Sequence, residues 1–393
     1  MAREKDRIVV TCPKGLSPFL AREIRSLGLP VVAETVSGVT TEGGREEAMA
    51  VNLHVRTGHR VLLSLAEFAA RDAVDLYEKM SGIAWERHIP ADGTITVHSS
   101  VDNATVRDSR YANLKCKDAI VDRLRSKFGV RPDSGPGREG VVIFFYWKGS
   151  DCSVYLDTSG EPLSKRGYRK IPWKAPMQET LAAAVIMASG WDGRSNFINP
   201  MCGSGTVAIE AALIATHCAP GLLRTAYAFR HLRGFQEDAW ERMREKARGE
   251  RLSGTVGRII ATDADPEAVA AARKNAGYAG VQGLIDFSVC DFSETEVPGG
   301  GGVVFVNPEY GERLGAAKDL AGVYRGLGDF FKQRCRGYAG YILTGDSGLA
   351  KSVGLRSKSR TVLYNGPIEC RLLEYELYEG SRKKGVRAED GKE

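Results

Sequence analysis

The sequence predicts an α/β chain whose second half is a mostly parallel, doubly wound sheet closed by an antiparallel hairpin. Three observations carry this. First, short apolar runs at Phe197-Ile198, Ile259–Thr262, Ile285–Val289, Val303–Val306 and Tyr338–Leu343 alternate with helical stretches, the rhythm of β-α-β crossovers. Second, residues 360–364 and 368–377 are strand-like and flank Asn365-Gly366, a dipeptide that closes tight hairpins because both residues tolerate positive φ. Third, FINPMCGSGT at 197–206 leads from a strand end through Gly203-Ser204-Gly205 into an Ala-rich helix at 207–216. With Ala208 the spacing is G-x-G-x-x-A, which lets a backbone approach a nucleotide-like ligand at a helix N-terminus. A glycine turn alone is a weak signal. It gains weight from Val303–Tyr310, VVFVNPEY, a buried-strand run ending in a polar and aromatic cluster.

Bulk properties set the bounds. A chain of 393 residues suits two or three domains. Hydrophobic content of 43% and charged content of 26% are those of a globular protein. A net charge of +6 is a weak argument for nucleic acid, so local clustering must make that case. The 8 cysteines show no C-x-x-C and no His spacing suited to zinc, and read as reduced, mostly buried thiols. No apolar run reaches the ~18 residues of a membrane span and no signal-peptide core opens the chain; a soluble cytoplasmic protein without a metal is expected.

Residues 1–45 read as a small α+β unit: a strand at 7–12, a helix at 16–27 stopped by Gly28, and a hairpin over 31–34 and 38–41. Residues 46–157 continue with helices at 46–56, 72–80 and 114–128 and strands at 60–68, 94–98, 141–147 and 153–156. The segment from 107 to 127 is cation-rich, with Arg107, Arg110, Lys115 and Lys117 leading it. It reads either as an RNA-contact surface or as a solvated helix face with i,i+4 pairs. Residues 158–175 form a basic linker in which Lys165, Arg166 and Arg169 surround Tyr168. Cations reach phosphates and aromatic faces stack on unpaired bases, so this is a candidate RNA contact. The alternative is a linker pinned by its aromatics to both flanking units. From 176 to 380 runs the doubly wound domain, with Pro176 in the first turn of a helix that Gly190 ends. Residues 381–393 are charged and expected to be disordered.

HSSVDNATVRDSRYANLKCKDAIVDRLRSKFG, at 98–129, resembles the core of a THUMP domain, an RNA-binding module that in such enzymes follows a ferredoxin-like unit. KRGYR, ETLAAAVIMASGW, NPMCGSGT, NPEYGERL and LYNGPIECRLLEYEL are similar to blocks of the RlmL family, which methylates N2 of a guanine in 23S ribosomal RNA. The resemblance implies a Rossmann-like S-adenosylmethionine methyltransferase sheet, S-adenosylmethionine as cofactor and ribosomal RNA as partner. Two positions depart from the family pattern. Asn199-Pro200 stands for Asp-Pro, which removes a charge near the methionine amino group, and Glu309 replaces the second proline of N-P-P-Y. Glu309 could accept from guanine N1–H, or mark a weakened site.

An S-adenosylmethionine site needs a close turn, an acid for the ribose and a group near the adenine. Gly203 and Gly205 supply the turn. Asp263 suits the ribose hydroxyls; a helical insertion over 221–254 breaks the usual spacing, and the rival role, capping the helix opened by Pro266, fits Asp265 better. Asp291 suits the adenine amine and Phe292 its face, with a turn-capping Asp as the alternative. Thr180, Asn199, Met201, Cys202 and Thr206, inside the family-like blocks, complete the cofactor set that the resemblance implies, with Asn307 adjoining both ligands. For catalysis, the Asn307 side-chain oxygen and the Pro308 carbonyl would hold the two N–H groups of an exocyclic amine, freeing its delocalised lone pair for a sulfonium methyl, while Tyr310 would stack on the base. Guanine-N2 methylation of tRNA and a non-catalytic RNA-binding or ribosome-assembly role are the alternatives. Asn-Pro-Pro-Tyr enzymes acting on protein glutamine or DNA adenine do not normally carry a THUMP domain.

Overall fold

The computed structural model describes residues 6–129, 140–174, 176–309 and 319–378. The chain opens with β1 (Arg7–Thr11), α1 (Ser17–Ser26), β2 (Val31–Thr35), β3 (Gly38–Glu42), α2 (Arg45–His54) and β4 (Arg60–Ala69). It continues with α3 (Ala73–Gly82), β5 (Ile95–Asp102), α4 (Ser109–Phe128), β6 (Val141–Lys148) and β7 (Asp151–Asp157). These strands form one seven-stranded sheet in the order β2-β3-β1-β4-β7-β6-β5. β4 pairs with β1 along one edge and with β7 along the other. The β-α-β-β-α-β order of the first unit therefore runs on through α2 and β4, and the sheet carries no break at residue 45. α4 starts earlier than its apolar periodicity suggests, because Asp108 accepts the Arg110 N–H at 2.9 Å and caps it.

The second sheet is built from α5 (Glu179–Ser189), β8 (Asn196–Pro200), α6 (Thr206–Ala215), α7 (Glu237–Gly249), β9 (Ile259–Asp263), α8 (Pro266–Tyr278) and β10 (Ile285–Val289). β11 (Gly302–Val306), α9 (Leu320–Arg334), β12 (Tyr338–Thr344), α10 (Ser347–Ser352), β13 (Ser359–Asn365) and β14 (Ile368–Leu377) complete it. Its order is β10-β9-β8-β11-β12-β14-β13. β8 to β12 run parallel, and β14 and β13 form the expected antiparallel hairpin; its two loop residues are Gly366-Pro367 rather than Asn365-Gly366, since Asn365 still pairs with Ile368 and Gly366 takes the positive φ (62). Pro176 falls short of the helix it was expected to open. Glu179 is the first helical residue, and its carboxylate is held by Arg169 (2.7 Å), which also donates to Met177 O (2.7 Å), while Gln178 between them is extended.

Period-two alternation sorts the second sheet's side chains onto two faces. Phe197, Ala261, Phe305, Leu343 and Leu372 face α5 and α6; Ile198, Ile260, Val306, Ile342 and Leu373 face α9. The first face is continuous with Ile8 and Val10 of β1 and Leu20 of α1 through Leu163 and Tyr168 of the connecting segment. At this junction Gly221 lies so close to α2 that a Cβ would stand 2.6 Å from Leu53 Cα, leaving room only for glycine. Among the described residues no helix is long and apolar enough to cross a membrane.

Candidate active site

The strand order reverses between β9, β8 and β11, so the crevice for a ligand opens at the carboxyl ends of β8 and β11. After β8 the chain turns sharply. Met201 is a non-glycine residue at φ 57, a strained conformation that the surrounding structure must hold, and Gly203 (φ 54) and Gly205 (φ 80) follow it. A Cβ on Gly205 would lie 2.8 Å from Ala272 Cβ, so the glycine is needed both for its φ and for the contact with α8. Cys202 N donates to Thr262 O at 2.8 Å, which ties the loop to the end of β9. Thr206 starts α6 and is buried.

Asp263 holds this loop. Its Oδ2 accepts Gly203 N (2.9 Å) and its Oδ1 accepts Asp265 N (3.0 Å), while Asp265 caps α8 through Glu267 N (2.9 Å). Each carboxylate oxygen has a further lone pair for a ligand hydroxyl. For Asp291 the capping alternative is realised: Oδ1 accepts from Ser293 N (2.9 Å) and Ser293 Oγ (2.6 Å) at the edge of β10. Phe292 packs its edge on Phe330 of α9, with ring centroids 6.2 Å apart.

Three buried oxygens without hydrogen-bond partners among the described residues stand out in the proposed site: Thr180 Oγ1, Asn199 Oδ1 and Asn307 Oδ1. An unsatisfied buried acceptor costs about 1–3 kcal/mol, a cost usually met where a ligand supplies the donor. Asn199 Nδ2 donates to Phe305 O at 3.0 Å, cross-tying β8 to β11 beside Asn307. An aspartate could not make that bond, which gives the departure from Asp-Pro a structural reason. Asn199→Asp is expected to set a carboxylate against a carbonyl in a site 2% exposed, lowering apoprotein stability by about 1–3 kcal/mol. A melting curve unchanged by the substitution would remove that tie from the account. Asn307 and Pro308 leave the end of β11 as expected, with Glu309 beside them; Tyr310, expected to stack on the base, lies outside the described residues.

Sequence reasoning missed Asn275. This buried side chain on α8 accepts from Lys170 N (3.1 Å) and Ile171 N (3.0 Å), and donates to Ile171 O (3.0 Å) and Ser204 O (3.3 Å). It fastens the connecting segment to the glycine loop, and no local pattern marks it. Asn275→Ala is expected to loosen the loop and weaken cofactor binding roughly tenfold, about the worth of one hydrogen bond. Calorimetry showing unaltered affinity would confine Asn275 to fold stability.

The expected RNA contacts divide. Arg107 and Arg110 are exposed, and Lys115 and Lys117 half-exposed, on or just before α4; Arg110 pairs with Asp108 at 3.0 Å. Lys165 is exposed and pairs with Glu161. Arg166 and Tyr168 do not face solvent: each is 1% exposed. Arg166 donates to Leu163 O (2.6 Å) and Arg56 O, and its Nε lies 3.5 Å from Glu210 of α6, an ion pair without hydrogen-bond geometry. The Tyr168 hydroxyl donates to the same Glu210 at 3.0 Å, and burial, with Glu210 beside it, pushes this phenol well above its ordinary pKa. Arg169 is spent on Glu179. These three residues pin the segment to both units, so a phosphate cannot reach Arg166 or a base Tyr168 without opening the core. Arg56, whose guanidinium pKa burial pulls down, donates to Cys218 O (2.8 Å) past the end of α6. The amino-terminal unit thus grips the helix whose other end follows the glycine loop.

With this geometry in view, the comparisons are specific. The RMKL-like methyltransferase domain matches residues 166–374. The chain belongs to that family. The RlmL ferredoxin-like domain matches 7–62 and the THUMP domain 70–157. An RMKL-like relative, the "Ribosomal RNA large subunit methyltransferase K/L" of Syntrophotalea carbinolica, is 37% identical over 95% of this chain and 54% of its own length. The chain spans about half the length of such curated relatives. A "Putative RNA methyltransferase" of Synechocystis is 32% identical over 94% of this chain and 96% of its own. A solved structure of "a putative methyltransferase complexed with SAH" superposes with a TM-score of 0.88 at 28% identity, covering 96% of this chain and 100% of that one.

Proposed function

We propose that this chain transfers a methyl group from S-adenosylmethionine to the exocyclic N2 of a guanine in 23S ribosomal RNA. The observation that carries the reading is the buried Asn307 Oδ1, without a partner among the described residues, at the carboxyl end of β11 and the switch point of an RMKL-like sheet. The names of its relatives, ribosomal and RNA methyltransferases, support the substrate class. S-adenosylmethionine supplies an activated methyl on a sulfonium. The residues for it are the loop from Met201 to Thr206, Asn199 Oδ1 for the amino group, Asp263 for the ribose hydroxyls, and Asp291 through Oδ2, the oxygen its cap on Ser293 does not use, with Phe292 for the adenine. Thr180 Oγ1 offers a further acceptor.

Asn307 Oδ1 and the Pro308 carbonyl accept the two N–H groups of the guanine amine, which draws that nitrogen toward pyramidal geometry and turns its lone pair to the methyl. A C–N bond forms as the S–C bond breaks, and the amine then gives one proton to water. The test is transfer of labelled methyl to ribosomal RNA and to tRNA from a strain lacking the gene, followed by nucleoside analysis. N2-methylguanosine in the large-subunit RNA is expected. Product in tRNA alone would move the substrate, and no transfer to either would overturn the reading.

A further inference from the structure

Two of the linker's RNA-contact candidates are buried, yet a basic surface does flank the proposed clamp. A groove of about 680 Å³ opens beside the carboxyl end of β12, lined by Thr344, Lys351 of α10, Arg356, Ser357, Arg360 of β13 and Arg371 of β14. All four cations are exposed, and none pairs with a carboxylate among the described residues. Arg360 Nε donates to Ser357 Oγ at 3.1 Å. The carboxylate in the lining, Glu369, accepts from the Tyr364 hydroxyl at 3.1 Å. Four cations against the one carboxylate of the lining leave a net positive field that favours an anionic partner.

Sheet register fixes where this field lies. Arg371 stands opposite Thr344 on one side and Val362 on the other, and Arg360 stands opposite Leu373. Arg360 and Arg371 therefore share the face on which α9 packs. The β11–β12 ladder ends at Val306 opposite Ile342; continued two residues, it sets Pro308 level with Thr344. Arg371 is then two strand spacings, about 10 Å, from the amine clamp. A guanine whose amine meets Asn307 must be unstacked, and the phosphates of its own strand must pass close by.

We propose that this groove binds the sugar–phosphate backbone of the single-stranded RNA flanking the target nucleotide, with Arg360 and Arg371 as the main phosphate contacts. The guanidinium fork matches phosphate oxygens. The inference rests on the RNA-methyltransferase reading and adds to it the path of the substrate strand.

The test compares the wild type with Arg360→Gln/Arg371→Gln and Arg360→Lys/Arg371→Lys. Each is measured for binding to a labelled single-stranded oligoribonucleotide across a salt series, and for steady-state transfer to undermethylated large-subunit ribosomal RNA. The glutamine pair should weaken RNA binding on the order of tenfold and lower the log–log salt slope by about 1.4, roughly 0.7 for each lost single-strand contact. The loss should fall on KM rather than kcat. The lysine pair, which keeps both charges, should keep the slope, and thermal stabilisation by S-adenosylhomocysteine shows that each variant is folded. Unchanged affinity and slope in a folded glutamine pair would overturn the groove while leaving the catalytic reading standing. A wild type that binds RNA through the groove but transfers no methyl would do the reverse. Binding lost to ribosomal particles but not to naked RNA would mean that the groove takes a protein, which also overturns the proposal.

Discussion

Asn307→Ala should reduce methyl transfer to RNA by about a hundredfold or more while leaving S-adenosylmethionine affinity within about threefold. The prediction follows from an oxygen at the end of β11 that is buried and has no partner among the described residues. Such an oxygen is a liability to the free protein, about 1–3 kcal/mol of lost solvation, so the alanine variant should melt no lower than the wild type. Catalysis and stability then move in opposite directions, a pattern that simple damage to the fold would not produce. Asn307→Asp keeps the acceptor and should retain more turnover than alanine. Single-turnover kinetics with labelled cofactor, alongside calorimetry and a melting curve, separate these effects. Turnover preserved in the alanine variant would sink the amine clamp.

Arg166→Ala should destabilise the protein by about 3–5 kcal/mol. The substitution strips donors from Leu163 O and Arg56 O and leaves Glu210, 0% exposed in α6, with only the Tyr168 hydroxyl and the charge of Arg56 to offset its own. An uncompensated buried charge is among the costliest lesions a core can suffer. Because Glu210 belongs to the helix that begins at the glycine loop, a weaker cofactor response should accompany the lower unfolding midpoint in denaturant. The salt slope of RNA binding should stay as in the wild type. A reduced slope with an unaltered midpoint would return Arg166 to the RNA surface.

Much of the fold was legible because its signals are local. The glycine turn requires positive φ at Gly203 and Gly205, Asp265-Pro266 reads as cap and first turn, and Asn365-Gly366 marks a hairpin whose turn lies one residue later, at Gly366-Pro367. Each depends on residues a few positions away. The start of α5 was misjudged: Gln178 is extended past Pro176, and the Arg169 that holds Glu179 comes from outside the helix. The break expected at residue 45 is bridged by β4, whose two neighbours lie on either side of it in sequence.

By itself, then, the sequence determined the two α/β units, the hairpin, the glycine turn and the Asn307-Pro308 strand end, since backbone preference and apolar period act over one turn or one strand. Only the tertiary structure decided which polar groups face water. Tyr168 meets Glu210 across 42 positions, and Arg166 meets the Arg56 carbonyl across 110. Asn275 reaches the glycine loop across 71, and the Arg360–Arg371 groove exists because β14 returns beside β12. A cation's charge is written in its side chain. Whether that charge meets a phosphate or a buried carboxylate depends on which distant elements pack against it, and no local pattern encodes that.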